Sequence, residues 1–397
     1  MIPMNSNEIT YLVGEGQRPS QCYTVCEPVV CQFLETLGQA LKKEPTIENK
    51  TAASVFAFWC RPGNLMALGK GYGQYAMGRG HIFHIAPANM PLFFLYTLAV
   101  GLLSGNSNVI RISERRYADD LAACRVLKRV LRMDCYQSLA QRVCILTYPR
   151  DAAGWTGMLS QECNGRMVWG GDQSITTIRR IPLPPYAVEC YFPHRVSLSI
   201  LDEQVVGHLG KGDLDDLARR FCNDTYAMNQ LACSSPRLVL WHGNQSPQTR
   251  EAFWKAVARQ AMDYDAGQDG HIMARYTGAC RFAATHHWVQ KIRSDTPGVC
   301  RLELPEALLD WDQGDLGFGT FLEAPLPYLE LLHQWDTPRL QTITAFGVDV
   351  SEIGNAIRKT GMLGGTRIIP VGAALDFNVV WDGVDLIKAL SRTWGKE

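Results

Sequence analysis

Short apolar segments alternate with longer helical segments through the first half of the chain. Strand-length apolar runs occur at HIFHIAP (81–87), NVIRIS (108–113), VCILTYP (143–149) and RMVWGG (166–171). Between the first three runs lie an apolar helix over 91–104 and the amphipathic stretch RYADDLAACRVLKRVLRM. Strands that alternate with helices of this length predict βαβ units and a parallel sheet covered on both faces.

A second block of the same kind begins near residue 198, and a mixed region precedes the first block. The second block contains strand SLSIL, helix DLDDLARRFCNDTYAMNQ, strand RLVLW and helix EAFWKAVARQAMDYD. In the N-terminal region, residues 26–44 have helical spacing, whereas SVFAFWC (54–60) predicts a strand. Because 397 residues are too many for one ordinary core, we predict at least two domains of the α/β class.

Charge and cysteine content narrow the classes of function. Lys+Arg and Asp+Glu number 39 each, which gives no net field for nucleic acid or an anionic membrane. The 13 cysteines include no C-x-x-C pair, so we predict free thiols, no metal site and a reducing, cytoplasmic setting. The N-terminus lacks a signal-peptide pattern, and the apolar run from Met90 is shorter than the roughly 20 residues of a membrane span.

Three segments follow directly after predicted strands, at the edge where parallel sheets bind ligands. Asn89, in A-P-A-N-M-P-L, either caps the next helix or presents its amide to an oxyanion. Arg111 and Glu114 either grip a ribose hydroxyl or a phosphate, or they form a solvated strand end. Gly170 and Gly171 either allow a ligand to approach the backbone closely or allow the chain to turn sharply. No G-x-G-x-x-G occurs in these turns, so the usual dinucleotide fingerprint is missing.

Cys233 lies in N-Q-L-A-C-S-S-P-R, just before the strand RLVLW. Free cysteine is among the most buried residue types, so a small core residue is one interpretation of this position. A nucleophile is the other, and the loop taken alone leaves both interpretations open.

Taken in order along the chain, these segments resemble the aldehyde dehydrogenase superfamily. P-A-N-M-P, R-I-S-E and N-Q-L-A-C stand where that superfamily has stretches like W-N-x-P, K-P-x-E and G-Q-x-C. The chain is more similar to the acyl-CoA reductase branch, the luminescence-type (LuxC-type) fatty acyl-CoA reductases. HIAPANMPLFFLYTLAVGLLSGNSNVIRIS, RMVWGGDQSITTIR and RIIPVGAALDFNVVWDGVDLIKALSR carry this resemblance, which spans roughly 80–240 and 365–393.

The resemblance implies an aldehyde dehydrogenase-like fold with two Rossmann-like parallel-sheet domains. Residues 1–197 with 366–397 would bind NAD(P), and residues 198–365 would form the catalytic domain. Carried over residue by residue, Cys233 matches the family's nucleophile and Asn89 its side-chain oxyanion donor. The residues that match cofactor-binding positions are Arg111, Ser113, Glu114, Gly170 and Gly171.

The resemblance also implies a cofactor and a substrate. Glu114 would accept ribose hydroxyls and favours NADH, whereas Arg111, Arg115 and Arg116 favour the 2′-phosphate of NADPH. The branch generally uses NADPH, and that is our prediction. The implied substrate is an acyl-CoA or carrier-bound acyl thioester, which an acyl-activating or acyl-transferring protein would supply, and the implied assembly is a homo-oligomer.

One departure from the superfamily pattern affects the fate of the acyl group. Hydrolytic aldehyde dehydrogenases carry a general-base glutamate in E-L-G-G-K. In this chain the matching stretch is YFPHRV, with Tyr191 at the glutamate position and Glu189 out of register. The absence of that base favours reduction of an acyl-Cys233 to an aldehyde. The alternatives are an aldehyde dehydrogenase that releases acid and a non-redox cysteine acyltransferase.

Overall fold

The computed structural model describes residues 9–16, 19, 21–73, 75–114, 118–243, 246–305 and 316–394. The chain separates into two units, which we call unit 1 (Met1–His194 with Phe377–Glu397) and unit 2 (Arg195–Asp376). Arg115 and Arg116, which were predicted to favour a 2′-phosphate, lie outside the described residues.

Helices and strands alternate in both units. In the N-terminal part of unit 1 they are β1 (Thr10–Val13), α1 (Pro28–Lys43), α2 (Lys50–Trp59), α3 (Pro62–Gly69), β2 (Ala76–Gly78), β3 (His81–Ile85), α4 (Phe93–Leu103), β4 (Ser107–Arg111), α5 (Ala118–Leu131), α6 (Gln137–Ala140), β5 (Val143–Thr147), α7 (Ala153–Gln161), β6 (Gly165–Trp169), α8 (Asp172–Arg179) and β7 (Val188–Phe192). In unit 2 they are β8 (Val196–Asp202), α9 (Glu203–Gly207), α10 (Lys211–Thr225), β9 (Leu238–His242), α11 (Pro247–Ala261), α12 (Asp269–Thr285), β10 (Lys291–Thr296), β11 (Val299–Glu303), β12 (Thr320–Leu326), β13 (Leu340–Phe346), α13 (Val350–Thr360) and β14 (Arg367–Pro370). The C-terminal part of unit 1 adds β15 (Val380–Trp381), β16 (Val384–Asp385), α14 (Leu386–Leu390) and β17 (Ser391–Thr393).

Unit 1 is built on a six-stranded sheet in the order β1-β5-β4-β3-β6-β7. Strands β3 to β7 are parallel, and β1 runs antiparallel to β5 at one edge. Strands β3, β5 and β6 are buried along their whole length, as expected for a parallel sheet covered on both faces. The chain moves outward from β3 through β4 and β5 and then returns to β6 beside β3, so the strand order reverses between β3 and β6.

Unit 2 has a seven-stranded sheet in the order β10-β11-β12-β9-β8-β13-β14. Its strands are parallel except for β10, which runs antiparallel to β11 at the edge. A register shift between Leu340 and Ile343 interrupts the pairing of β13 with β8, which is the signature of a β-bulge. The prediction of two parallel-sheet α/β units is confirmed.

The segment SVFAFWC, predicted to be a strand, is helical and forms most of α2. The buried residues of α2, Ala53, Phe56 and Ala57, recur at helical spacing, and the helix packs against α1. The approach is close, because a Cβ added at Gly38 of α1 would lie 2.9 Å from the Ala57 Cα. Packing against α1 therefore overrides the strand preference of the β-branched and aromatic residues in this short run.

The boundary predicted at residue 366 also differs from the structure, in which unit 1 resumes at Phe377. The reason is that β14 pairs in parallel with β13, with Ile368 opposite Ile343. Strand β14 is therefore part of the unit 2 sheet. Which unit binds the cofactor and which carries the chemistry stays a prediction.

The apolar run from Met90 forms α4, a helix of 11 residues that are all buried. It packs against α1, α14 and β4. Beneath it, His84 is held between Thr97 Oγ1 at 2.7 Å and Asn108 Oδ1 at 2.9 Å, and burial lowers its pKa to about 4. Across the described part of the chain, every helix is too short or too polar to cross a membrane.

Candidate active site

The reversal of strand order between β3 and β6 defines the edge where an open parallel sheet binds ligands. The loop after β3 covers residues 86–92 and carries Asn89, and the turn after β6 consists of Gly170 and Gly171. On the other side of β3, the strand β4 ends at Arg111. The predicted cofactor residues and Asn89 therefore follow three adjacent strands at one edge of the unit 1 sheet.

A small pocket lies at this edge. Ala88 and Met90 line it from the loop after β3, Ser113 from the loop after β4, and Asp120 from the first turn of α5. Ser113 is half-buried and Glu114, the next residue, is exposed. The structure thus brings Ser113 beside the segment that carries Asn89.

The backbone conformation at positions 170 and 171 does not require glycine. Gly171 has an extended backbone, with φ −68° and ψ 159°, and neither glycine has a positive φ. A Cβ added at Gly170 would meet Ser174 at an ordinary 3.6 Å, and one at Gly171 would meet no described atom within 4 Å. The open space beside Gly171, at the start of α8, fits a ligand whose phosphates approach the backbone.

Arg111 is half-buried at the end of β4 and packs on Tyr148. Its guanidinium carbon lies 5.3 Å from the Tyr148 ring centroid, and Nη2 donates a hydrogen bond of 3.2 Å to the Tyr148 carbonyl. Its Nε is buried and has no partner among the described residues. Burial lowers the pKa of Arg111 and the nearby Arg150 adds to this, whereas Tyr148 and Glu114 oppose it. Arg111 is therefore more than a solvated strand end, and it retains an unused donor.

Asn89 does not cap α4, which was one of its two interpretations. The helix begins at Phe93 and its N-cap residue is Leu92, with no side-chain cap hydrogen bond among the described residues. Asn89 is exposed, and within the described chain its amide has no hydrogen-bond partner. The amide is therefore open to a ligand.

In unit 2, the loop with Cys233 begins with two residues in the left-handed conformation. Asn229 has φ 51° and Gln230 has φ 58°. Asparagine tolerates this conformation better than most residues because its short polar side chain bonds locally. Asn229 thus replaces the glycine of the family pattern and still takes a glycine-like backbone.

Gln230 clamps this loop from inside. It is fully buried, and its Oε1 accepts from the Gly319 N–H at 2.7 Å. Its Nε2 lies 3.1 Å from the Thr320 carbonyl and 3.3 Å from the Pro236 carbonyl. Its own carbonyl accepts from the guanidinium of Arg237 at 2.6 and 3.0 Å. The clamp joins the two ends of the loop to each other and to the start of β12.

Cys233 sits in the turn between those fixed ends and is half-exposed. Its carbonyl accepts a hydrogen bond of 2.7 Å from Ser197 Oγ. Ser197 Oγ in turn accepts a hydrogen bond of 3.2 Å from the Thr342 N–H. The loop is thereby tied to the first residues of β8 and β13. Parallel sheets usually bind ligands at the carboxyl ends of their strands. Cys233 differs, because it precedes β9 and lies toward the amino ends of the strands.

Glu189, the out-of-register carboxylate, is paired inside unit 1. Arg166, fully buried on β6, donates to it through Nε. Arg166 also donates to Ser160 Oγ at 2.8 Å and to the Ile181 carbonyl at 3.0 Å. Burial raises the pKa of the Tyr191 hydroxyl, as does its hydrogen bond to Glu189. Glu189 therefore serves as the counter-ion of a buried arginine, a role that does not suit a general base.

Comparison with known proteins decides the family. A model of the acyl-CoA reductase (LuxC) family matches residues 68–266, just over half of the 397 residues. The chain belongs to the acyl-CoA reductase family. The matched range contains every predicted site residue, from Asn89 to Cys233. A search of curated proteins finds no significant match to the chain.

Solved aldehyde dehydrogenase structures share the fold of this acyl-CoA reductase. Lactaldehyde dehydrogenase from Escherichia coli aligns over 93% of this chain and 86% of its own, with a TM-score of 0.60 and 12% identity. An NAD-dependent aldehyde dehydrogenase from Sinorhizobium meliloti aligns over 98% and 90%, with a TM-score of 0.60 and 10% identity. An oxidoreductase from Marinobacter aquaeolei aligns over 96% and 87%, with a TM-score of 0.64 and 10% identity.

The predicted family and aldehyde dehydrogenase-like fold class are confirmed, and the protein is an oxidoreductase of this kind. The individual roles of Cys233, Asn89 and the cofactor residues stay predictions. Sequence reasoning passed over Asp120 and Arg150. Their only signals were an acidic pair at the start of a predicted helix and a basic residue just after a strand.

Proposed function

We propose that this acyl-CoA reductase reduces an acyl thioester to the aldehyde with NADPH, through an acyl group on Cys233. The observation that carries the proposal is the clamped loop around Cys233. A covalent nucleophile needs a thiol that the substrate can reach and a backbone that holds it still. Cys233 is half-exposed, while Gln230 and Arg237 fix the loop from inside the fold.

The Cys233 thiolate attacks the thioester carbonyl carbon, and the carbonyl electrons move to oxygen. In the roles that the family pattern gives them, the Asn89 amide and the Cys233 backbone N–H donate hydrogen bonds to this oxyanion. Collapse of the oxyanion breaks the bond to the leaving sulfur, expels CoA or the carrier as its thiolate, which takes a proton from water, and leaves a thioester on Cys233. NADPH, when bound, supplies the hydride that reduces this thioester. Collapse of the resulting hemithioacetal releases the aldehyde and returns the Cys233 thiolate.

The residues at the unit 1 sheet edge fit a nicotinamide dinucleotide. Gly171, which follows Gly170, leaves room for its phosphates, and Arg111 has a buried Nε with no partner among the described residues. The fit favours NADPH over NADH because a second cation is near. Arg150 is exposed, two residues beyond Tyr148, to whose carbonyl Arg111 donates. Arg111 and Arg150 would both attract a 2′-phosphate, and the carboxylate of Glu114 would oppose it.

The fate of the acyl group depends on a missing residue, the general-base glutamate of hydrolytic aldehyde dehydrogenases. Tyr191 occupies that position, and Glu189 is held by buried Arg166. Water near an acyl-Cys233 therefore finds neither of these groups ready to take its proton. Reduction is favoured over release of acid. An acyl-activating or acyl-transferring protein as supplier of the thioester, and a homo-oligomeric assembly, remain part of this proposal.

The test is an aldehyde-formation assay with a panel of acyl-CoAs and NADPH. We expect Cys233→Ser to form no aldehyde. We expect Asn89→Ala to bind substrate but to lose about a hundredfold or more in kcat, because loss of one oxyanion donor raises the barrier by roughly 2.7–4 kcal/mol. Full reductase activity in Cys233→Ser would overturn the proposal. Conversion of aldehyde to acid without CoA would favour a hydrolytic dehydrogenase instead.

A further inference from the structure

The loop that carries Asn89 is held in an unusual shape. It runs from Ala86 to the helix α4, and it ends at Leu92 with φ 63° and ψ 0°, in the left-handed region. A non-glycine residue takes this conformation only where its surroundings impose it. Leu92 is also buried, and in the part of the chain that the structure describes no side chain caps the helix that follows it.

The backbone of Leu92 is hydrogen-bonded to the carboxylate of Asp120. Asp120 lies in the first turn of α5 and is 7% exposed. Its Oδ1 accepts the Leu92 N–H at 2.8 Å. A hydrogen bond from a backbone N–H to a buried carboxylate is stronger than one between neutral groups. Asp120 also lines the pocket together with Ala88, Met90 and Ser113, so it supports the loop from the side of the site.

The neighbouring Asp119 offers a matched comparison. It is equally buried, at 7% exposure, and its two oxygens accept the N–H groups of Glu48 and Asn49 at 2.8 and 2.9 Å. Asn49 is the N-cap residue of α2. Two adjacent aspartates of one helical turn therefore tie down two different segments, and only Asp120 holds the loop with Asn89.

We infer that Asp120 is a positioning residue for the reaction, which acts by fixing the loop 86–92 so that the Asn89 amide meets the oxyanion. The inference rests on the proposed function of Asn89. Within the described chain the Asn89 side chain has no hydrogen bond to orient it, so its location is set through its backbone. That backbone is held to α5 by the hydrogen bond from the N–H of Leu92, three residues after Asn89, to the Asp120 carboxylate.

Removal of the carboxylate would leave the Leu92 N–H buried and unpaired and would let Leu92 relax from the left-handed conformation. A displacement of about 1 Å at a catalytic group lowers rates by up to roughly a hundredfold. We therefore expect Asp120→Ala to lower kcat by roughly tenfold to a hundredfold with little change in KM for acyl-CoA. Asp120→Asn keeps an oxygen acceptor and should retain kcat within about threefold. Asp119→Ala should lower Tm but keep kcat within about twofold.

The deciding experiment is a double-mutant cycle with Asn89→Ala, measured as kcat for acyl-CoA reduction. If Asp120 acts through Asn89, then Asp120→Ala lowers kcat in the wild-type background and has no further effect in the Asn89→Ala background. An unchanged kcat in Asp120→Ala, or an equal loss in both backgrounds, would overturn the inference. If Asp120→Ala fails to fold, Asp120→Ser, whose shorter side chain does not reach Leu92, takes its place in the cycle.

The cycle also separates this inference from the proposed function. A normal kcat in Asn89→Ala alone would contradict the oxyanion role of Asn89, whatever Asp120 does. A low kcat in Asn89→Ala together with a normal one in Asp120→Ala would leave the proposed function standing and reject the positioning role.

Discussion

Gln230 is the residue whose replacement tests the clamped loop most sharply. In Gln230→Ala, the Gly319 N–H and the Thr320 and Pro236 carbonyls lose their partner inside the fold. A buried polar group left unpaired costs roughly 1–3 kcal/mol. The 3.3 Å contact to Pro236 is the weakest of the three. The lower half of that range at three sites gives a loss of about 3–6 kcal/mol in the free energy of unfolding of unit 2.

The assay is urea unfolding followed by tryptophan fluorescence, because Trp241, Trp254 and Trp335 are fully buried in unit 2. Gln248→Ala, at an exposed position of α11, is the control and should change the free energy of unfolding by less than about 0.5 kcal/mol. The alkylation rate of Cys233 in the folded protein, read by peptide mass spectrometry, should rise in Gln230→Ala as the loop loosens.

Gln230→Glu adds a pH test of the same clamp. The new carboxyl keeps an acceptor for Gly319 but faces the Thr320 and Pro236 carbonyls, so its folded pKa lies above its unfolded value of about 4.3. The loss of stability relative to the wild type should therefore be largest above the folded pKa and should shrink as the pH falls toward 4. A loss below about 1 kcal/mol in Gln230→Ala, or a pH-independent loss in Gln230→Glu, would refute the clamp.

Two further predictions concern the cofactor edge and a buried acid. Arg150→Gln should raise the Kd for NADPH roughly fivefold, from about 1 kcal/mol of lost attraction to the 2′-phosphate, and leave the Kd for NADH unchanged. Arg132→Gln, on an exposed residue just after α5, is the control in the same fluorescence titration. Burial raises the pKa of Asp224 to about 7, above its unfolded value, so its contribution to stability falls as the pH rises from about 4 to about 7. Asp224→Asn should flatten that slope in urea unfolding at several pH values, and an unchanged slope would reject the assignment.

The elements that alternation predicted are those whose apolar runs are long and uninterrupted. The strands at 81–85, 143–147 and 165–169 are buried throughout, so their composition alone reveals them. The strand prediction for SVFAFWC is wrong because a run this short does not distinguish helix from strand, and packing of α2 on α1 decides the conformation.

Site residues could be predicted from the sequence where they belong to a motif. They could not be predicted where a side chain is hydrogen-bonded to backbone groups far away in the sequence. Cys233 and Asn89 follow from the resemblance. The left-handed Asn229 and Gln230, by contrast, depend on contacts with Gly319 and Thr320, about 90 positions further on. Likewise, nothing in the letters D-D shows that Asp119 and Asp120 hold different segments. That result depends on tertiary structure.

The central claim is that Cys233 carries the acyl group and passes it to hydride instead of water. The most direct measurement is intact-mass spectrometry of the protein after mixing with an acyl-CoA, first without NADPH and then with it. We predict one acyl adduct, located on Cys233 by peptide mapping, that persists without NADPH, disappears when NADPH is added as aldehyde forms, and is absent in Cys233→Ser. An adduct on another residue, or one that decays to free acid at the same rate with and without NADPH, would contradict the account.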